Sequence, residues 1–394
     1  MVSIMGNSPV HKVKDGILIS IFVGSIWLPL VGFLGGWENS EDLGEKRTLS
    51  KCPVLGADSL ETIPEKFDSF YKDHFGFRND LIRGHNWIRY KLFKGETYAD
   101  VLIGKEGWLF LTRNGIISDY LGQSPLTPEE LAMWKDSFEQ RQKWLAERGI
   151  RYLFVVAPNK AMIYSEMLPD YIYRNKHKTH MDQLVEFLGE TSTVEFLDLR
   201  DALWNAKATG LVYHPRDSHW SERGAFIVYQ EICNRLVKWF PDIYPWSMDD
   251  FTITNEKQVG DLANMLGLGD KLILEYEVFK PLKKRNAYQV NLTLPDQYPW
   301  PKHIIPDRQV AMENKNAKHR LLFFHDSFGN HGGLQEYIGE HFSRSAFVPA
   351  PLDYNCLKLM VEQEHPDIVI EEIAERKLIE VPSIETNWIN REIH

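Results

Sequence analysis

HRLLFFHDSFGNHGGLQEYIGEHFSRSAFVPA, residues 319–350, decides the architecture. Its opening run HRLLFFH (319–325) is apolar without alternation, as expected of a strand buried on both faces. The loop Asp326-Ser327-Phe328-Gly329 closes that strand. A helical stretch near 332–341 follows, and SAFVPA (345–350) predicts the next strand. Strand, loop, helix and strand in succession form a crossover unit, which commits the chain to a parallel sheet. The same rhythm continues outward. RYLFVVA (151–157) and TVEFLDL (193–199) predict two earlier strands, with helices over roughly 175–190 and 221–240. CLKLMVEQE (356–364) predicts a helix and DIVIEEI (367–373) a fifth strand. The expected class is α/β, with a parallel sheet covered by helices on both faces.

Residues 241–318 break the rhythm. They hold short strand-like pieces (FTIT, LILEYEVF, YQVNLTL) and the helical turn GDLANMLG. They are expected to form a β-rich insertion packed on the sheet and not a separate domain. Ahead of the sheet, residues 65–95 run through KFDSFYKDHFGFRNDLIRGHNWIRYKLFKG, whose apolar spacing predicts two short helices around Gly76. VLIGKEGWLFL (101–111) reads as a hairpin. Thr127-Pro128-Glu129-Glu130 is a capping box with proline at the first helical position, opening a long amphipathic helix that ends near Gly149.

The N-terminus sets the compartment. Residues 16–37, GILISIFVGSIWLPLVGFLGGW, carry no charge and are long enough to cross a hydrocarbon core of ~30 Å as a helix. Lys12 and Lys14 precede the segment, and Glu38, Glu41 and Asp42 follow it. The positive-inside rule leaves residues 1–15 in the cytoplasm and the remainder outside. A cleaved signal peptide is the competing reading. The apolar run is long for one and no Ala-x-Ala site follows, so an uncleaved inner-membrane anchor is expected. Residues 38–64 read as a polar linker, and 65–394 as one extracytoplasmic domain, periplasmic or extracellular. The 394 residues carry a formal net charge of -10 with no basic block, a poor composition for nucleic-acid binding. Cys52, Cys233 and Cys356 are too few for a disulfide framework, although a single pair among them stays open.

In an open α/β sheet, reactive groups gather at the carboxyl ends of the strands. Three loops lie there: Ala157-Pro158-Asn159-Lys160, Asp217-Ser218-His219-Trp220 and His325-Asp326-Ser327-Phe328-Gly329. Together they supply the hydroxyl, imidazole and carboxylate of nucleophilic acyl transfer, with Ser327 attacking, His219 taking its proton and Asp217 orienting the imidazole. Backbone N–H groups and a helix start beside Ser327 are expected to stabilise an oxyanion. The plainer alternative has Asp326 and Ser327 only capping the next helix. Asn159 is a candidate oxyanion donor, Lys160 a candidate acetyl- or sugar-contacting cation, and Trp220 a wall for the imidazole. Glu371, Glu372 and Arg376 suggest an ion pair at the sheet edge. His325, His331 and His341 fit no metal-binding spacing, so no metal is expected. No Walker A loop or Gly-x-Gly-x-x-Gly follows a strand, so no cofactor is expected. Ser327 lacks the Gly-x-Ser-x-Gly elbow of α/β-hydrolases.

Asp217-Ser218-His219-Trp220 followed by Asp326-Ser327-Phe328 resembles the SGNH-hydrolase-like alginate O-acetyltransferase family of the AlgJ/AlgX type. FYKDHFGFRNDLI (70–82), GKEGWLFL (104–111), APNKAMIYSEMLP (157–169), GDLANMLG (260–267) and VIEEIAERKL (369–378) extend the resemblance. It implies a flavodoxin-like SGNH-hydrolase sheet, with the β-rich insertion within it and one transmembrane helix ahead of it. It implies a Ser-His-Asp triad of Ser327, His219 and Asp217, and acetyl transfer to an exopolysaccharide. It also implies a membrane-bound O-acyltransferase partner that supplies the acetyl group. One departure stands out: His325 precedes Asp326 where relatives commonly have glycine, which would narrow the pocket or add a second base. Asp326 and His325 thus join Asn159, Lys160 and Trp220 as candidate substrate-contacting residues. Two other functions share these residues: a carbohydrate esterase or deacetylase using water as acceptor, and a non-catalytic glycan-binding component of an exopolysaccharide complex.

Overall fold

The computed structural model of the chain describes residues 9–37, 49–54, 59, 61–92, 97–98, 100–173, 177–295, 298–300 and 310–382. Contacts divide the chain into two compact units, Met1–Phe93 with Ala263–Lys271, and Lys94–Leu262 with Leu272–His394.

The second unit holds the sheets. Strands β1 (Thr97–Tyr98), β2 (Val101–Ile103) and β3 (Leu109–Leu111) make a small antiparallel sheet, the expected hairpin with one strand added. The main sheet contains β4 (Arg151–Ala157) and β5 (Phe196–Asp198). A two-stranded ribbon, β6 (Phe251–Val259) with β7 (Ile273–Pro281), stands apart from it. The main sheet resumes with β8 (Tyr288–Asn291), β9 (Val310–Glu313), β10 (Arg320–Phe324), β11 (Arg344–Val348) and β12 (Ile368–Ala374). The strand order across it is β5-β4-β12-β10-β11-β9-β8.

The five strands read from the sequence are mutually parallel. Their side chains alternate between two cores: Leu153, Val155, Leu321 and Phe323 face one way, and Phe154, Val156, Leu322 and Phe324 the other. Helices at Glu222–Leu236 and Leu334–Gly339 contribute to the first core, and those at Pro128–Ala146, His180–Thr191 and Tyr354–Glu364 to the second. Burial on both faces explains the unbroken apolar runs. The insertion corrects one expectation. Its last two strands do not pack on the sheet but extend it, β9 pairing antiparallel with β11 and β8 antiparallel with β9. The capping box is present: the Thr127 side chain accepts the Glu130 N–H, and the Glu130 carboxylate accepts the Thr127 N–H. All three cysteines are free, Cys52 exposed and Cys233 and Cys356 buried, so none of them is paired.

The first unit is helical. Pro9–Leu34 is one helix, and within it Val13–Leu34 is long and apolar enough to cross a membrane. Helix Ile63–His74 packs beside its C-terminal end, with Phe33 edge-on to Phe70 and Tyr71, and the loop that leads into helix Arg78–Leu92 follows, the Gly76 N–H donating to the Pro29 carbonyl. Because these aromatic contacts tie residues 63–92 to the N-terminal helix, the unit with the sheet begins at Lys94, whereas the sequence suggested a boundary at 65. Most of the expected linker, including Glu38, Glu41 and Asp42, lies outside the described residues, as do residues 1–8.

Candidate active site

Strands β4, β12 and β10 are adjacent and parallel, so their carboxyl ends deliver three loops side by side. These are Pro158-Asn159-Lys160, Glu375-Arg376 and His325-Asp326-Ser327. A fourth loop arrives from the excursion after β5. Tyr213 and Trp220 form an isolated antiparallel bridge that pinches 214–219 into a tight loop. Ser221 ends the loop as a helix cap, its hydroxyl accepting the Gly224 N–H.

Within this arrangement His219 Nε2 lies 2.9 Å from Ser327 Oγ, and His219 Nδ1 lies 2.9 Å from Asp217 Oδ1. A carboxylate only accepts, so Nδ1 carries the proton and Nε2 is left to accept from the serine hydroxyl. Asp217 Oδ1 also accepts the His219 N–H, and its Oδ2 accepts the Asp261 N–H. Burial pushes the Asp217 carboxyl up, but these hydrogen bonds and the His219 charge outweigh burial and hold it well below the usual carboxylate range. Asp261 in turn accepts from the backbone N–H and hydroxyl of Ser218, each at 2.7 Å. Gly260 permits this: a Cβ there would sit 2.1 Å from the Arg216 carbonyl oxygen.

His331 covers the His219 imidazole. Its ring stacks on His219 at 3.6 Å between centroids and 6° between planes, and its Nδ1 donates to the Ser327 carbonyl at 2.5 Å. Burial, then the nearby His219 charge, lowers the His331 pKa. Asp217, His219 and His331 form the one cluster of metal-ligand types among the described residues. Imidazole ligates in its ring plane. Two rings stacked face to face send their lone pairs along parallel planes, which do not converge on one ion.

Residues 101–295 match the family model of the SGNH hydrolase-like domain, acetyltransferase AlgX. This matched region belongs to the AlgJ/AlgX-type SGNH-hydrolase-like family. It is 30% identical to the probable alginate O-acetylase AlgJ of Pseudomonas aeruginosa over 157 residues, 37% of this chain and 35% of that one. It is 23% identical to the Azotobacter vinelandii protein of the same description over 226 residues, 56% of this chain and 54% of that one. The matches therefore span about a third to a half of these curated relatives. Among solved structures, the O-acetyltransferase domain of Pseudomonas putida AlgJ is 18% identical, with 74% of this chain and 97% of that chain covered and a TM-score of 0.46. Bacillus cereus PatB1 with a sulfonyl adduct is 16% identical, with coverage of 73% and 99% and a TM-score of 0.49. The AlgX-type match includes Asp217 and His219 and ends before Ser327.

Several residues sit differently from the sequence expectation. Lys160 is not a substrate-facing cation. It is buried, and its ammonium donates to three backbone carbonyls of the loop leading to His219: His214 at 3.1 Å, Pro215 at 3.2 Å and Asp217 at 2.6 Å. Burial lowers its pKa to about 7, against the opposing pull of Asp217 and Asp261. Asp326 is a backbone brace, accepting the N–H groups of Phe328 and Ala374. Ser327 makes no capping bond; only a single 3-10 turn, Phe328–Asn330, follows it. Trp220 lies under the loop, edge-on to Phe328 and donating to the His331 carbonyl, so His331 takes the walling role expected of it. His325 is no second base. Its Nδ1 donates to the Asp326 carbonyl and its Nε2 accepts from Gln335, with burial lowering its pKa to about 4. His325 does border a cavity of about 420 Å³ beside Ser327, lined also by Trp134, Arg141, Leu352 and Glu371.

Arg376 was read as an edge ion-pair partner, but Glu371 pairs with Arg141 at 2.7 Å, and Arg376 points over the Phe328 ring to within 3.5 Å of Ser327 Oγ. Asn159 borders the same small hollow as Arg376 and Ser218. Its backbone N–H is held by the buried Glu375 at 2.7 Å. Sequence reasoning passed over Asp261, His331 and Arg376 as site residues. Asp261 and Arg376 stand inside the quoted segments GDLANMLG and VIEEIAERKL, and that was the only available signal.

Proposed function

We propose that this chain is a membrane-anchored O-acetyltransferase that moves acetyl groups onto an extracytoplasmic polysaccharide through an acetyl-serine at Ser327. The observation that carries the reading is the hydrogen-bond line from Ser327 Oγ through both nitrogens of His219 to Asp217. Ser327 Oγ attacks the carbonyl carbon of a donor acetyl group, and its proton passes to His219 Nε2. The imidazolium is stabilised by Asp217. Collapse of the tetrahedral adduct breaks the bond to the leaving group, which takes the proton from Nε2. A sugar hydroxyl then gives its proton to Nε2 and attacks the acetyl-serine. Collapse returns the proton to Ser327 and leaves the ester on the sugar.

The developing oxyanion needs donors. The N–H groups of Asp326, Phe328 and Gly329 are already taken by the carboxyl groups of Glu372 and Asp326, which leaves the Ser327 N–H as the backbone donor at the expected hole. The Arg376 guanidinium and the Asn159 side-chain amide, on one hollow beside Ser327, are the donors that fit. Lys160 acts at one remove, fastening the loop that carries Asp217 and His219.

The apolar helix Val13–Leu34 supports an inner-membrane anchor with the catalytic unit outside. Relatives described as probable alginate O-acetylases support an exopolysaccharide acceptor. An O-acyltransferase partner that supplies acetyl across the membrane is part of the proposal. The test is to incubate the purified chain with a chromogenic acetyl ester, with and without an acidic oligosaccharide. Acetylated sugar, seen by mass, is expected with the wild type and absent with Ser327→Ala. Acetate release indifferent to sugar would instead identify an esterase, and unchanged acetylation by Ser327→Ala would remove Ser327 from the chemistry.

A further inference from the structure

Helix Arg78–Leu92 is amphipathic in the wrong sense for a helix that faces only water. Its buried positions are Asn79, Asn86 and Tyr90, all polar-tipped. Leu81, Ile88 and Leu92 are 47%, 53% and 72% exposed. At 100° per residue these three fall within a narrow stripe, with the exposed His85 between them. The buried side is committed to the protein, Asn86 donating to the Leu266 carbonyl at 2.8 Å. The apolar stripe is therefore turned outward by the packing itself.

Three observations indicate what covers the stripe. The first is continuity with the N-terminal span. The loop before this helix packs on the last turns of that span: the Gly76 N–H donates to the Pro29 carbonyl at 3.1 Å. The contact is glycine on glycine; a Cβ on Gly76 would lie 2.4 Å from the Gly32 Cα. Val13–Leu34 has 22 residues. That length rises about 33 Å, one hydrocarbon thickness, so its last turns, and the start of the helix beside them, fall at the membrane boundary. The second is the aromatic content at that level. Phe33 contacts Phe70 and Tyr71 there, and Trp37 contacts Phe77, an aromatic content like that of a headgroup-level belt. The third is charge. In a chain of net charge -10, this helix carries Arg78, Arg83, Arg89 and Lys91 against Asp80 alone. Arg78 and Arg89 on one side and Lys91 on the other lie about 60–80° from the apolar stripe, where basic side chains suit anionic headgroups, whereas Arg83 falls on the packed side.

We infer that helix Arg78–Leu92 lies in the outer surface of the bilayer beside the N-terminal span, with Leu81, Ile88 and Leu92 inserted among the lipid chains. This rests on the anchor proposed above. The helix then forms a second, lateral membrane contact beside the span.

The test uses the full chain in phosphatidylglycerol–phosphatidylethanolamine vesicles. Cys52→Ser removes the exposed thiol. Single cysteines at Ile88, Leu92 and, in the span, Phe22 carry an environment-sensitive nitrobenzoxadiazole dye. The expected result is quenching of the Ile88 and Leu92 labels by shallow spin-labelled lipid, loss of their quenching by aqueous iodide, and lipid quenching at Phe22. Iodide access at 88 and 92 with lipid quenching at 22 leaves the anchor standing and overturns the surface helix. Shielding of 88 and 92 from both quenchers means a protein covers them, which also overturns it. Iodide access at Phe22 removes the anchor and the inference together.

Discussion

Asp217 makes four demands on one side chain: it accepts from the His219 ring and backbone with one oxygen and from Asp261 with the other, while ionised and largely buried. Asp217→Asn keeps the shape but presents an amide where an acceptor is needed, which favours the wrong imidazole tautomer. Acetyl transfer should fall on the order of 10⁴-fold with the fold intact by circular dichroism. Asp261→Asn should cost far less, because its nearest approach to His219 Nδ1 is 3.9 Å and its main partner is Ser218. Equal losses in the two variants would contradict these separate roles. Lys160→Met leaves three carbonyls without their donor. It should lower kcat more than it raises KM, and a selective rise in KM would restore the substrate-contact reading. Residue types announced Ser327, His219 and Asp217, because a hydroxyl, an imidazole and a carboxylate have few joint uses. Lys160 was misread because sequence reveals a cation but not its direction, and here it turns inward to backbone oxygens.

At the scale of elements, the site is the carboxyl edge of three neighbouring strands, and β12 is the one whose contribution was underread. Adjacency of β12 to both β4 and β10 is a property of strand order, which no local spacing encodes. That adjacency brings Arg376 to Ser327 and Glu375 under Asn159. The same blindness hid β8 and β9. Their short apolar alternation is equally consistent with a flap over the sheet and with an antiparallel extension of it. Glu375 provides a measurable consequence. Burial raises its carboxyl to about 8 from 4.5, against the Asn159 N–H, which favours the ionised form. Between these values the unfolded chain is ionised while the folded chain holds the proton. The stabilising contribution is thus complete below pH 4.5 and is lost as pH rises toward 8. Glu375→Gln keeps an acceptor for Asn159 and removes the titration. Urea midpoints of variant and wild type should be similar near pH 4.5. The variant should gain steadily up to pH 8 and hold its advantage beyond. A constant difference across that range would mean that Glu375 is ionised in the fold.

For the whole molecule, the decisive question is which side of a membrane the chemistry occupies. Acetyl esters on an exported polymer are made where the polymer is, so the proposed function requires the unit bearing Ser327 to lie beyond the bilayer while its acetyl originates inside. The apolar helix resolves this if it remains attached: Lys12 and Lys14 hold one end in the cytoplasm, and the chain emerges at Trp37. Its side chains support the assignment, since only 6% of the hydrophobic window is buried in the protein, unlike the core helix of a soluble fold. A signal sequence would share that exposure, and the two fates separate cleanly. In bacteria expressing the full chain, the protein should stay in membranes washed with alkaline carbonate, and its isolated N-terminal peptide should include residues 16–37. Protease added to spheroplasts should degrade the unit bearing Ser327 while sparing cytoplasmic markers. Recovery of a soluble, active chain whose N-terminus begins after Gly36 would show cleavage. The enzyme would then have to meet its acetyl donor by diffusion and not by sharing its membrane.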